Sequence, residues 1–243
     1  MHAELAAETL LTLWETAHGQ PAGTRDEAML LVAFAEPERP RTLGERNARL
    51  MELHTRLFGR ELELLSHCPA CGTAAQFAAD CESLAAQMRP SLANAAPHRL
   101  KAEGHVIEFR LPDSRDITIA YGENGEDDFA HRLLDLCVLT CTREGNNVRA
   151  RELPAPVLDA LSQRMETLDP GARVSFALDC PQCATSWPAP LDIGEVVWQK
   201  LRAAAERVLL DIDVLARAYG WTEREVLRLH PLRRAAYLQM VTA

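Results

Sequence analysis

Two short stretches decide how this chain is read: His67-Cys68-Pro69-Ala70-Cys71-Gly72-Thr73 and Asp179-Cys180-Pro181-Gln182-Cys183-Ala184-Thr185. Each is a Cys-Pro-x-Cys turn closed by a threonine, and each follows a strand-like run, Glu61–Leu65 in one case and Arg173–Leu178 in the other. Ala75–Ala79 gives the first turn a second strand. A Cys-x-x-Cys turn between strands brings two thiolates to one cation, and two such turns complete a tetrahedral Cys₄ shell. The spacing therefore predicts one structural Zn²⁺ on Cys68, Cys71, Cys180 and Cys183, or else two separate half-sites. Residues 72–179 lie between the turns, far more than the ~15–20 of a compact ribbon, so the ribbon must be split by an insertion. Ala184 stands where the first turn has Gly72. If that position is left-handed, the alanine costs about 1–2 kcal/mol.

Working outward, the first sixty residues read as helices. Leu10, Leu13, Trp14 and Ala17 mark one face of a helix over 3–18, stopped by Gly19 and Pro21. A second runs over 26–35 and ends in the proline-bearing stretch 36–40. Thr42 and Glu45 form a capping-box pattern for a third, with Leu50, Leu53 and Leu57 inward and Gly59 as its stop. In the insertion, the runs 105–111 and 116–120 flank Pro112-Asp113-Ser114-Arg115 and predict a hairpin. Helices are expected over 127–141 and 154–168.

After the second cysteine turn a long helix is expected over 194–219. Its seam, Leu201, Ala205, Val208, Ile212, Leu215 and Tyr219, is as narrow as a coiled-coil stripe. Gly220 stops it, Thr222 and Glu225 cap a short helix, and Pro231 opens the last one. The expected architecture is α+β. Residues 1–60 form a helical segment and 61–193 a Cys₄ zinc ribbon, built from 61–83 and 172–193 with 84–171 inserted. Residues 194–243 form a helical arm.

Composition narrows the function. The chain has 243 residues, 47% hydrophobic and 25% charged, with a formal charge of −9. That apolar fraction excludes disorder as the main state. No run approaches the ~18 apolar residues of a membrane span. The absence of a secretory pattern points to a reducing, cytoplasmic setting, where paired cysteines hold metal more often than disulfides. The negative charge disfavours nucleic acid, which demands a positive footprint. A nucleic-acid-binding zinc ribbon is the alternative reading, because Val214–Leu227 has the outline of a helix-turn-helix with Arg228, Arg233 and Arg234 nearby.

A thiol oxidoreductase ranks third. Trp187-Pro188-Ala189-Pro190 cannot supply the helix N-terminus that activates such a cysteine. His2-Ala3-Glu4 is a misplaced fragment of a deaminase signature, and Glu126, Asp127 and Asp128 read as a helix start. No nucleophile–base or phosphate-loop motif occurs, so neither catalysis nor a small-molecule substrate is expected. Cys137 and Cys141, i and i+4, read as core cysteines on one helix face. Cys81 stands alone.

The order of these features resembles a known family, the zinc-knuckle baseplate hub or hub-assembly chaperone proteins of contractile-tailed phages and related contractile injection systems. The residues carrying the likeness are Gly44-Glu45-Arg46-Asn47-Ala48-Arg49-Leu50, Leu57-Phe58-Gly59, Cys68-Pro69-Ala70-Cys71-Gly72, Phe109-Arg110-Leu111-Pro112 and Arg115-Asp116. They continue through Cys180-Pro181-Gln182-Cys183, Tyr219–Glu225 and Arg233-Arg234-Ala235-Ala236-Tyr237-Leu238. Ala184 departs from the usual glycine. The resemblance implies a non-enzymatic structural or assembly role beside other baseplate or tail proteins, in the cytoplasm or in a phage tail-like particle. Tyr219, Trp221, Arg228, Arg233, Arg234 and Tyr237 are the expected partner-binding residues, since aromatics and arginine dominate interface hot spots.

Overall fold

The computed structural model describes residues 7–34, 42–88, 97–121 and 129–242. His2, the stretch 36–40 and the acidic run 126–128 lie outside them. The chain is α+β, with small antiparallel sheets among helices.

The main core gathers helices from both ends of the sequence. Helix α1 (Ala7–Ala17) contributes Leu13 and Ala17, α2 (Ala22–Phe34) Met29 and Leu30, and α3 (Leu43–Phe58) Leu50, Met51 and Leu53. The long helix α8 (Ile193–Tyr219) packs Ile193, Val197, Trp198 and Leu201 into the same cluster. Further along α8, Ala205 and Val208 close on Leu11 of α1. Along the seam of α8, Leu201, Ala205, Val208 and Leu215 are buried inside this molecule, Ile212 is half-buried and Tyr219 is exposed, so the first half of α8 is anchored in the core. Its apolar spacing was legible; which helix it faces depends on packing that no local pattern encodes.

Helix boundaries follow the caps. The Thr42 side chain accepts from Glu45 N at 3.2 Å, and the Gly59 N–H closes on Thr55 O at 3.1 Å. Glu45 itself pairs with Arg49 at 3.0 Å. Pro21 does not merely stop α1; its carbonyl accepts from Arg25 N and opens α2 earlier than expected.

Where α2, α3 and α8 meet, buried Arg25 pairs with Glu195 at 2.9 Å and Asp26 at 3.3 Å and lies over Trp198. Arg46 reaches Asp26 at 3.7 Å. Gly194 lets α8 approach, because a Cβ there would stand 2.1 Å from Asp26 Oδ2. Burial pushes the Asp26 carboxyl up to about 6 against the pull of both arginines.

Two hairpins carry the cysteine turns. Strand β1 (Glu61–His67) pairs with β2 (Ala74–Asp80), and β7 (Val174–Asp179) with β8 (Ser186–Leu191). Pro188 and Pro190 sit at alternate positions of β8, opposite Ala177 and Ser175. After β2, α4 (Cys81–Met88) returns to the main core.

The insertion differs from the expectation. A hairpin is present, but β4 (His105–Phe109) pairs with the preceding strand β3 (His98–Ala102) across Glu103-Gly104. The segment read as the second strand is helix α5 (Ser114–Tyr121). Asp113 caps it, accepting from Arg115 N at 2.8 Å and Asp116 N at 3.1 Å, while Asp116 accepts from Asp113 N at 2.8 Å. Arg110 then clamps Asp116 with contacts of 2.5 and 2.6 Å. These bonds outweigh the alternation of Ile117 and Ile119.

The helix expected over 127–141 stops at Cys137. Helix α6 (Phe129–Cys137) passes directly into β5 (Val138–Arg143), which pairs with β4 and with the two-residue β6 (Asn146–Asn147). Helix α7 (Ala155–Leu168) covers the sheet, and Ile107, Phe109, Cys141, Val157 and Leu161 form a second core. Cys137 and Cys141 thus share no helix, yet both are buried. Desolvation pushes the Cys137 thiol up to about 12 and raises that of Cys141.

Candidate metal centre

Each hairpin ends in the same turn. Cys68 N donates to Thr73 O and Gly72 N to Cys68 O, both at 2.9 Å. In the other turn Cys180 N donates to Thr185 O at 2.9 Å and Ala184 N to Cys180 O at 3.0 Å. The equivalence extends to the backbone: Gly72 has φ 75° and Ala184 φ 56°, so the second turn holds a left-handed alanine.

The hairpins meet tip to tip and along their lengths. Thr73 Oγ1 donates to Gln182 Oε1 across the tips. Trp187 Nε1 donates to Ser66 Oγ at 3.3 Å, and Phe77 meets Phe176 edge to face at 5.1 Å. The two hydrogen bonds join residues 109 and 121 positions apart, so the two hairpins meet across the residues that separate them in the sequence.

The four sulfurs of Cys68, Cys71, Cys180 and Cys183 lie within 4.8 Å of one another. Cys68 and Cys183 are 3.6 Å apart and Cys71 and Cys180 3.5 Å. A disulfide requires about 2.05 Å. A tetrahedron with metal–sulfur bonds of ~2.3 Å separates its sulfurs by about 3.8 Å. The cluster has the dimensions of one shared four-thiolate shell rather than two half-sites, and it can hold a metal ion. Cys68 and Cys180 are buried, Cys71 and Cys183 exposed.

The surroundings favour thiolates on the exposed pair. The Thr73 hydroxyl and backbone N–H lower the Cys71 thiol, and the same groups of Thr185 bring Cys183 down to about 6. Cys180, despite the Cys183 N–H at its sulfur, is pushed up to about 11 by burial and by the neighbouring thiols. A bound cation reverses that last effect, since coordinating thiols give up their protons. The repeated threonine was visible in both motifs; its role at the sulfur was not.

The expected partner-binding residues split into two groups. Tyr219 stacks on Trp221 at 4.7 Å, and Tyr237 meets Trp221 edge-on at 4.9 Å, so these rings pack against one another. Arg234 is engaged with Asp211 at 3.4 Å, whereas Arg228 and Arg233 are exposed. Tyr237 and both arginines belong to the end region where α9 (Glu223–Leu227) and α10 (Pro231–Thr242) pack back on α8. Helix α9, in the recognition position of the helix-turn-helix outline, has only five residues, too short to follow a major groove.

Cys81 does not stand alone. Its sulfur is buried 3.2 Å from His54 Nδ1. Lys200 Nζ lies 3.1 Å from His54 Nε2, and an ammonium can only donate, so the imidazole proton sits on Nδ1 and is donated to Gly59 O at 3.1 Å. Burial, helped by the Lys200 charge, lowers the His54 pKa to about 4. A histidine placed alone on a helix face gave no sign of this in the sequence.

Comparison of the chain with protein-family models, with curated proteins and with solved structures gives no match. Among the described residues no helix is long and apolar enough to cross a membrane.

Proposed function

We propose that this chain is a non-enzymatic structural or assembly protein of a contractile tail or injection-system baseplate, stapled by one Zn²⁺. The observation that carries the reading is the closed set of four thiols between hairpins 109 positions apart. Structural zinc sites are closed by four protein ligands, whereas catalytic ones keep a position open for water or substrate. A full thiolate shell serves to fix one segment against another. The ordered motifs from Gly44 to Leu238 support the baseplate assignment. All-sulfur tetrahedral ligation favours zinc or iron, and a site without a redox task favours zinc.

Two measurements test it. Metal analysis of purified protein is expected to give about one zinc per chain. A tagged chain expressed with a complete contractile-tail operon is expected to co-purify with baseplate components. A metal-free folded protein overturns the zinc assignment, and recovery of the chain without any tail component overturns the baseplate assignment.

A further inference from the structure

Each cysteine turn puts one sulfur of the cluster at the surface and one inside. Cys71 and Cys183 are exposed, whereas Cys68 and Cys180 are 2% and 4% accessible. Two short sulfur contacts run between the hairpins, from Cys68 to Cys183 at 3.6 Å and from Cys71 to Cys180 at 3.5 Å. They share no sulfur, so together they use all four thiols, each joining an exposed one to a buried one. Closing either contact to the ~2.05 Å of a disulfide takes a movement of about 1.5 Å. Contacts independent of the cluster keep these pairs in register: Thr73 with Gln182, Trp187 with Ser66, and Phe77 against Phe176. Neither turn runs into the helix that activates a redox Cys-x-x-Cys; each passes into a strand, β2 or β8. Cys81, Cys137 and Cys141 are buried and lie outside the cluster.

We propose that the four thiols form an oxidation site that exchanges the zinc staple for two disulfides across the hairpins, Cys68–Cys183 and Cys71–Cys180. The oxidant is a hydroperoxide, of which hydrogen peroxide is the simplest. An exposed thiolate, Cys71 or Cys183, attacks one peroxide oxygen; the O–O bond breaks, hydroxide leaves and a sulfenic acid forms. The buried thiolate of the opposite hairpin then attacks that sulfur, the S–O bond breaks and a second hydroxide leaves. Each disulfide thus gives up two electrons from its sulfur pair and reduces one peroxide. With both bonds made, no thiolate remains to hold Zn²⁺. The hairpins stay joined when the chain passes from reducing to oxidising surroundings. The inference rests on the four-thiol zinc site proposed above and not on the baseplate assignment.

The test adds about two equivalents of hydrogen peroxide to the zinc-loaded full chain. A colorimetric chelator follows zinc release, and mass spectrometry maps the disulfides after free thiols are blocked at acid pH. The expected result is release of about one zinc per chain with both cross-hairpin bonds formed inside one chain. Cys81, Cys137 and Cys141 should remain thiols. The oxidised chain should melt above the reduced chain stripped of metal, and a phosphine reductant with added Zn²⁺ should restore the starting form. Bonds within a turn, Cys68–Cys71 or Cys180–Cys183, overturn the inference. So do bonds between chains or to Cys81, sulfinic acids in place of disulfides, retained zinc, or an oxidised chain that melts no higher than the stripped one. If the chain purifies without zinc yet forms both bonds, the zinc reading fails and the cross-hairpin pairing stands. If zinc is bound but peroxide leaves it in place or closes the turns on themselves, the inference fails and the zinc reading stands.

Discussion

Asp169 closes the N-terminus of α3 from 125 positions away, its Oδ2 accepting from Gly44 N at 2.9 Å. The contact ties the end of the insertion to the main core. Beside it Asn47 Nδ2 donates to Gly171 O at 2.7 Å. Gly171 in turn leaves no room for a side chain, since a Cβ there would stand 2.6 Å from Met88 O. A Cβ on Gly44 would meet Asp169 Oδ1 at 1.8 Å. Gly44→Ala is therefore expected to destabilise the fold by about 1–3 kcal/mol through overpacking. Asp169→Ala should cost ~1 kcal/mol as a lost cap. Urea denaturation of both variants checks this; an unchanged midpoint for Gly44→Ala contradicts the close approach.

Zinc is expected to hold the two hairpins together. Cys68→Ser and Cys180→Ser should each lose the metal and lower the melting temperature, because removing a ligand of a structural site forfeits folding energy. Cys81→Ser should keep full metal content, since Cys81 faces His54 and not the cluster. Metal analysis alongside thermal melting separates the two outcomes.

The left-handed Ala184 gives a stabilising substitution. An L-residue there costs about 1–2 kcal/mol, and glycine returns part of that to unfolded-state entropy. Ala184→Gly is expected to gain roughly 0.5–1 kcal/mol, and Gly72→Ala, at φ 75°, to lose a similar amount. Opposite shifts in melting temperature are the readout; shifts of the same sign would show that the turns are not equivalent.

His54 predicts an acid limb in stability. Its folded pKa of about 4 lies below the ordinary 6.5, so folding favours the neutral ring. The associated stability is complete above pH 6.5 and is lost as the pH falls through 4, up to about 3 kcal/mol. His54→Asn should flatten that part of the curve. Both proteins carry the same four cysteines, so the difference between their pH profiles isolates the histidine. Parallel profiles would mean that His54 titrates normally.

What the sequence made legible was what local chemistry decides. The cysteine turns, the Thr42 and Thr222 caps and the long α8 each rest on residues within a few positions of one another. The insertion was harder. In β3 only Leu100 is strongly apolar among His98-Arg99-Leu100-Lys101-Ala102, so no alternation marks the strand. Between α6 and β5 no glycine or proline separates Cys137 from Val138, and the switch is driven by pairing with β4. The misread α5 depends on Arg110, which reaches Asp116 only once the chain has turned. The Asp169–Gly44 contact and the Arg25–Asp26–Arg46 cluster join distant segments, and no window of sequence contains both ends.

The two prolines of β8 bear on how this protein can grow into something larger. An exposed strand invites another chain to add to its edge, by offering a row of free donors. Pro188 and Pro190 have no N–H, so the run Ser186–Leu191 presents a gap at alternate positions where a neighbouring backbone would need a bond. The β7–β8 hairpin is protected against edge-to-edge aggregation on that side. Self-templated stacking at β8 is thereby discouraged, and contacts made through helices are left as the safer route to a defined complex.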